Sequence, residues 1–488
     1  MSKSISKNAL FKGSLNLFNI VLPILVGPII LRTLNKELYG YISYAETLTG
    51  WFLIFASFGI SQYGLREISK VRDDEEKLQQ TFTSLFLFTV FTNIVVSLLY
   101  MIFIYIVGRN RPDFYTCMIL GFNLVFNLFY VEWINEALEN YDFIAIKTMV
   151  VRIIYSLLVI FCIRSTKNFQ LYLYLVIGFN FLNNILSFVY IKKRVKFNFK
   201  NLHFKRHIKP MFFVVILSNV NILYTQLDKI MLGSGAVGTG TNDVGYYSIA
   251  QKIMTIINTL MLTIIQVTMP RLSNYLGNDS KEEYMILLKR IIKIYFMFLF
   301  PASIGMICLS REIILMYSGY GFIEAIPIMF VFSIYMLTIG VEGIIANQMI
   351  YLNGREKDDV KLVLIGGALN VVLNMGLAMT GKFTPTNAII TTLIANLIVI
   401  VLEYRFVRKV IKIDINLFAF ENVKYFYYSL LFIPVIFIIK HFISSVFLIS
   451  ALAVLACGII YVGILILTKD EVFLQLSNTL LRKFKLKR

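Results

Sequence analysis

Six ionisable side chains lie inside long apolar stretches of this 488-residue chain, where burying a charge is costly. They are Glu46, Glu132, Asp228, Lys229, Lys252 and Glu342. Lys252 lies about eight residues into its predicted span, which is about 12 Å deep at about 1.5 Å per residue. This is too deep for its ammonium to reach the surface comfortably. Asp228 and Lys229 are adjacent and cannot both face lipid cheaply. Such residues mark either a polar pathway or ion pairs between helices.

An internal repeat positions several of these residues. The segment Tyr39–Glu46 reads YGYISYAE, and Val244–Gln251, 205 positions later, reads VGYYSIAQ. The same register aligns Glu46 with Gln251, and it aligns Arg66 with Arg271 at the far ends of two predicted helices. A repeat of this kind in an apolar chain predicts a two-lobed transporter with its site between the lobes.

Composition predicts an all-α polytopic membrane protein, because 58% of the residues are hydrophobic and only 15% are charged. Apolar runs predict fourteen transmembrane helices, at about 10–33, 41–64, 82–107, 114–136, 149–164, 170–191, 210–232, 244–268, 291–310, 323–351, 362–380, 386–403, 424–439 and 442–467.

The four cysteines lie inside these runs without metal-ligand spacing. A GxGxxG match at 233–238 lies in a predicted loop with no strand before it. We expect no metal and no cofactor.

The basic residues predict how the chain crosses the membrane. With the N-terminus inside, about 36 Lys and Arg residues fall on the inner side and about nine on the outer side. This bias predicts that both termini are cytoplasmic, and it explains the formal charge of +19 better than nucleic-acid binding does. The densest basic cluster, 192–209, predicts a boundary between an N-lobe (1–204, six helices) and a C-lobe (205–410, six helices). Two further helices and a basic tail would follow at 411–488.

Several motifs in a characteristic order complete this pattern. They are Arg32 with Tyr39-Gly40-Tyr41, Gly59 with Gly64-Leu65-Arg66, the tract Tyr130–Tyr141, Leu227–Gly233 with Val244–Tyr247, and Asn347-Gln348 with Leu352–Lys357. Together they resemble the oligosaccharide flippases (Wzx-type polysaccharide transporters) of the multidrug/oligosaccharidyl-lipid/polysaccharide exporter superfamily. The resemblance implies two pseudosymmetric six-helix bundles, similar to those of MATE exporters, around a cleft. Glu136 receives no family role, because Glu136-Ala137-Leu138-Glu139 stands where the family usually has a Gln-Gly pair before its Glu.

The resemblance implies a polyprenyl-diphosphate-linked oligosaccharide as the cargo, so cationic side chains become candidates for diphosphate binding. We expect Lys252 to be the main phosphate-facing cation; the alternative is a structural ion pair with Asp228 or Glu46. Arg66 and Arg271 could receive the diphosphate at the inner mouth, where bidentate geometry suits arginine; the alternative is positive-inside anchoring. Arg32 could draw phosphate outward, or it could pair with Glu37 at the interface.

The remaining intramembrane charges are candidates for the cleft or for ion coupling. Glu46 could titrate or bind a coupling cation, or it could form a hydrogen bond between helices. One of Asp228 and Lys229 would face the cleft, or both would sit among the headgroups. Glu342 completes this set.

Undecaprenyl-diphosphate-linked repeat units are therefore the expected cargo, moved from the inner to the outer leaflet of the bacterial cytoplasmic membrane by alternating access. Three alternatives stay open: a cation-coupled multidrug antiporter, a lipid II flippase, and a polytopic glycan polymerase, although no long external loop is predicted to carry a catalytic site. No enzymatic activity is expected. The absence of a P-loop motif implies that an H⁺ or Na⁺ gradient, or the membrane potential, supplies any driving force. The resemblance also implies a polysaccharide polymerase and glycosyltransferases as partners, alongside membrane lipid.

Overall fold

The structure is a computed structural model, and it describes residues 5–200, 202, 204–235 and 240–485. Every regular element in this described part is helical. The prediction of an all-α polytopic protein is therefore confirmed. The chain divides into two compact units, Met1–Gly245 and Tyr246–Arg488.

Among the described residues, nine helices lie wholly within the first unit. They are α1 (Ile5–Thr33), α2 (Lys36–Ser57), α3 (Ile60–Val71), α4 (Glu75–Gly108), α5 (Phe114–Phe126), α6 (Glu132–Ala137), α7 (Tyr141–Cys162), α8 (Phe169–Lys192) and α9 (Phe204–Gly233). Short 3₁₀ turns at Asn127–Phe129 and Thr166–Asn168 connect some of them. An aromatic core that includes Phe82, Phe86 and Trp133 lies among α3, α4 and α6.

The helix α10 (Thr241–Gly277) begins in the first unit and continues into the second. The second unit then contains α11 (Lys281–Cys308), α12 (Ser310–Ser318), α13 (Ala325–Ile344), α14 (Glu356–Met379), α15 (Pro385–Phe406), α16 (Phe420–Leu430), α17 (Phe432–Phe442), α18 (Val446–Leu467) and α19 (Glu471–Lys485). It also contains 3₁₀ turns at Tyr320–Phe322 and Tyr351–Asn353. Two π-helical turns, Ile345–Ile350 and Val407–Ile411, extend α13 and α15.

Twelve helical segments in the described residues are long and apolar enough to cross a membrane. They match twelve of the fourteen predicted spans. The two predicted spans outside this set are 41–64 and 210–232, which correspond to α2 and α9. A multi-pass membrane protein is therefore established, whereas the count of fourteen is not confirmed.

The predicted span 41–64 was wrong as one continuous helix. The helix α2 ends at Ser57, and both Phe58 and Gly59 have left-handed backbone, with φ values of 45° and 75°. This conformation ends the helical hydrogen-bonding pattern, and α3 restarts at Ile60. Arg66 consequently lies on α3, whereas Arg271 lies on the long helix α10.

The two copies of the repeat begin at the same register of their helices. The first α2 residue, Lys36, and the first α10 residue, Thr241, are separated by 205 positions, as the repeat phrases are. Their glycines lie against one another, since a Cβ on Gly245 would lie 3.2 Å from the Gly40 Cα. A Cβ on Gly40 would lie only 2.5 Å from the Thr241 carbonyl oxygen. The repeat glycine therefore permits a close backbone approach.

Candidate functional site

Three predicted site residues come together in the first unit. Asp228 and Lys229 on α9 are both buried, at 0% and 8% exposure, and the Lys229 ammonium interacts electrostatically with Glu46 on α2. Glu46 itself is exposed among buried neighbours, so it is accessible from outside the packed unit. The arrangement joins one cation and two carboxylates across two helices.

A residue that the sequence left among the loop charges, Arg111, fixes the end of α9 beside this group. Its guanidinium donates two hydrogen bonds to the Asp113 carboxylate, at 2.9 and 3.1 Å. It also donates to the carbonyl oxygens of Ser234 (2.8 Å) and Gly233 (2.6 Å), and it stacks 4.8 Å from the centre of the Tyr44 ring. Gly233 is required here, because a Cβ would lie 2.1 Å from the Tyr44 ring. This bidentate, stacked geometry requires arginine and not lysine.

The intramembrane Glu132 belongs to a fully satisfied ion pair. The Lys147 ammonium donates to Glu132 Oε1 (3.0 Å), to Ser187 Oγ (2.7 Å) and to the Asn183 carbonyl (3.2 Å), while Ser187 Oγ donates to Glu132 Oε2 at 2.6 Å. Lys147 is 7% exposed. Every charge in this group has a local partner, so its role is to hold α6, α7 and α8 together.

The three predicted arginines are all exposed. Arg32 lies in the last turn of α1. Arg66 donates to Glu67 at 3.1 Å and lies over the Tyr63 ring. Arg271 donates from Nε and one terminal nitrogen to Tyr275 Oη, at 3.2 and 3.1 Å. The Tyr63 and Tyr275 rings orient their guanidinium groups and leave them accessible to an anion.

Lys252, the predicted main phosphate-facing cation, is exposed on α10 in the second unit. It lies eleven residues after Thr241, about 16 Å along α10, and its side chain is exposed. Within the described part of the chain, its ammonium has no ion-pair partner. An accessible and uncompensated cation at this depth is suited to binding an anionic group.

Glu342, the last predicted residue, lies in a carboxyl cluster that the sequence did not reveal. Asn396 Nδ2 donates to Glu342 Oε2 at 2.6 Å, which joins α13 to α15. Glu342 also interacts with Glu403 on α15, whose neighbour is Asp359 on α14. Glu403 ends the predicted span 386–403, and Asp359 precedes the span 362–380, so in the sequence both resemble interfacial charges.

An apolar cavity of about 390 Å³ lies beside this cluster in the second unit. Val341 and Ile400 line it next to the cluster, and Phe300, Phe418 and Phe426 close its other side. Its walls suit a hydrocarbon chain.

Comparisons with known proteins agree with the resemblance seen in the sequence. A family profile described as "Polysaccharide biosynthesis protein" matches residues 5–276, which is more than half of the chain. A protein of Escherichia coli K12 described as a candidate O-antigen transporter is 22% identical over 414 residues. That match covers 83% of this chain and 97% of the relative.

Solved structures show the same fold. The lipid II flippase MurJ, in an inward closed conformation, superposes with a TM-score of 0.72 at 17% identity, covering 94% of this chain and 100% of its own. An inward-facing multidrug resistance MATE transporter of the MOP superfamily superposes with a TM-score of 0.58 at 14% identity, covering 82% of this chain and 96% of its own. The predicted superfamily fold is thereby confirmed.

Proposed function

Because the chain belongs to the polysaccharide biosynthesis protein family, we propose that it is a flippase for polyprenyl-diphosphate-linked oligosaccharides. It moves these lipids from the inner to the outer leaflet of the bacterial cytoplasmic membrane by alternating access. No bond is made or broken, so the protein needs to bind, shield and release its cargo. The candidate O-antigen transporter among its relatives supports this substrate class.

The observation that carries the proposal is the accessible ammonium of Lys252. A diphosphate needs a cation within the membrane, and Lys252 is exposed there without a protein carboxylate to neutralise it in the described part of the chain. Arg66 and Arg271 would bind the diphosphate at the inner side, and Arg32 would bind it near the outer side. The apolar cavity supports a path for part of the lipid chain.

The proposal is tested with purified protein in sealed liposomes that contain polyprenyl-diphosphate oligosaccharide. An external glycan-modifying enzyme reports the lipid that reaches the outer leaflet over time. We expect protein-dependent transfer, and we expect Lys252→Ala to slow it roughly 10- to 100-fold, as the loss of a charge-assisted contact of about 1.5–3 kcal/mol would. Lys252→Arg should retain most of the activity.

The matched control is Lys357→Ala, which removes an exposed lysine from the first turn of α14. It should transfer lipid at the wild-type rate. Equal rates for Lys252→Ala and the wild type would remove Lys252 from the site but leave the flippase function intact. If these vesicles export cationic drugs and transfer no glycan lipid, the protein is a multidrug antiporter. Transfer restricted to lipid II would select the cell-wall precursor instead.

A further inference from the structure

Three helices of the second unit bring carboxyl groups to one point. Glu403 on α15 is 0% exposed, and Glu342 on α13 and Asp359 on α14 are half-buried beside it. The Asp359 carboxyl lies within hydrogen-bonding reach of Glu403. Within the described residues, no N–H or O–H group of the protein donates to either oxygen of Glu403, or to Asp359 Oδ1.

Other buried carboxylates of the described chain have a cation nearby. Asp113 has Arg111, Glu312 has Lys440 at 2.8 Å, and Asp470 has Lys424. The carboxyl of Glu403 differs, because its electrostatic neighbours are the carboxyls of Glu342 and Asp359. Among the described residues, the other buried acids therefore have a cation that compensates their charge, whereas Glu403 does not.

Three basic residues near the ends of α14 and α15 pair with other carboxylates, and Arg405 and Lys409 are exposed. Arg355 and Lys361 both bind Asp358, at 2.7 and 3.0 Å, on the exposed side of α14. Arg408, in the π-helical turn after α15, binds Asp414 at 3.0 Å. The π-helical turn Ile345–Ile350, which also packs on α14 and α15, carries no ionisable side chain.

Two carboxyls without a cation can form a hydrogen bond only if one of them carries a proton. Ionising both in an apolar surrounding would place two negative charges side by side, at a cost that no protein group among the described residues offsets. Paired carboxyls in such surroundings share one proton, and a neighbouring carboxyl strengthens this tendency. Glu342 is that neighbour.

We propose that Glu403 and Asp359, with Glu342 beside them, form a proton-binding site in the second unit, with the proton shared between Glu403 and Asp359. With the proton bound, the Glu403–Asp359 pair carries one negative charge. Proton loss raises this to two negative charges among α13, α14 and α15, and proton uptake reverses the change. The change in charge alters how these three helices repel one another. Binding of a proton is thereby linked to their packing.

A row of polar side chains leads along the α14–α15 contact toward this site. Thr391 Oγ1 donates to Asn374 Oδ1 at 2.5 Å, and Asn370 Nδ2 donates to Thr392 Oγ1 at 3.2 Å. Asn396 then donates to Glu342. Buried amide and hydroxyl groups of this kind can hold water and relay a proton between the cluster and the far end of the helix pair.

Proton binding is tested directly by infrared difference spectroscopy of the purified protein in lipid. At neutral pH the wild type should show the C=O stretch of a protonated buried carboxyl, which disappears on alkaline titration. The double variant Glu403→Gln/Asp359→Asn should lose that band. The matched control Glu312→Gln, which removes a buried carboxylate that already has a cation, should keep it. A thermal unfolding curve for each variant establishes that it is folded.

Absence of the band in the wild type, or its persistence in the double variant, would overturn the proposal. Displacement of the proton by sodium chloride, but not by choline chloride, would overturn it in favour of a sodium site. The link to transport rests on the proposed flippase function and has its own readout: a pH gradient should accelerate wild-type transfer and have no effect on Glu403→Gln. A protein that shows the band but transfers no lipid has the proton site without the flippase function.

Discussion

Buried charges in this chain fall into two kinds, and the difference is visible only in their partners. Lys147 and Glu132 satisfy one another through a network that includes Ser187. Glu403 is 0% exposed but lies beside other acids. A satisfied pair contributes to cohesion, whereas an unsatisfied acid is available to bind a proton. The same residue type therefore serves two purposes.

The satisfied pair should behave as a unit when it is mutated. Either Lys147→Met or Glu132→Gln alone leaves one buried charge without its partner, which we expect to destabilise the protein by about 3–5 kcal/mol. The double variant removes both charges and should recover most of the loss, as thermal unfolding in detergent will show. A double variant no better than the singles would mean that the group does more than pair charges.

Intramembrane charges were largely readable from the sequence because an apolar run makes a lone Glu or Lys conspicuous. Glu342 and Lys252 were found this way. Glu403 and Asp359 were missed because each stands at the end of an apolar run, where a charge is cheap if it meets water. Only the packing of α13, α14 and α15 buries Glu403, and no local pattern contains that information. Arg111 was missed for a related reason, since two of its partners are backbone carbonyls more than 120 residues away.

At the scale of helices, the repeat glycines bring two backbone segments into direct contact. Gly40 sits where a methyl group would lie 2.5 Å from the Thr241 carbonyl oxygen and 3.0 Å from the Asn242 nitrogen. Both are backbone atoms, which cannot rotate away as a side chain can. The glycine of the repeat motif therefore has a structural role, which is to permit this close backbone contact.

Gly40→Ala should accordingly destabilise the protein by about 1–3 kcal/mol through overpacking. Gly50→Ala is the matched control on the same helix, because a Cβ there meets nothing within 4 Å. This control should be neutral or stabilising by up to about 1 kcal/mol, since alanine favours helix over glycine. Thermal unfolding midpoints compare the two, and equal midpoints would contradict the close approach.

The break between α2 and α3 could not be predicted from the hydrophobic pattern of the sequence. The apolar run continues from Tyr41 toward Gly64, so hydropathy predicts one helix. The backbone at Phe58 and Gly59 turns left-handed, a choice that glycine permits but does not dictate. A glycine within an apolar run therefore indicated a possible break without deciding it.

For the whole molecule, composition predicted the class correctly, because repeated apolar runs of span length are typical of helical membrane proteins and rare elsewhere. The ordered motifs predicted the family. The lobe boundaries at 204 and 410, the cytoplasmic termini and the exact number of spans stay predictions. The number of spans depends on whether α2 and α9 cross the membrane. The helix α2 carries several polar residues, and α9 includes side chains outside the described set.

Single cysteines on either side of these helices test the predicted topology. In a variant without the four native cysteines, we expect a membrane-impermeant maleimide to label two positions in intact cells and the other two only after permeabilisation. The outer pair is Lys36→Cys and Lys382→Cys, and the inner pair is Lys77→Cys and Lys200→Cys. Opposite sides for 36 and 77 establish that the chain crosses the membrane between them.

Between positions 200 and 382 lie five predicted spans, an odd number that places the two cysteines on opposite faces. If α9 does not cross, four spans separate them and both cysteines label from the same side. The labelling pattern thus distinguishes fourteen spans from thirteen without any assumption about transport.

The position of Glu403 has an electrical consequence. It lies eight residues before Ile411, where its helical segment ends, so about 12 Å of helix separates it from that end. A proton that reaches it from the far face crosses part of the membrane's voltage drop, which is worth about 2.3 kcal/mol per charge for a full crossing at 100 mV. Voltage therefore changes the effective acidity at Glu403 even when both compartments have equal pH. The carboxyl cluster therefore responds to voltage as well as to pH. In a cell that has lost its pH gradient but keeps its membrane potential, the voltage still drives protons onto the cluster.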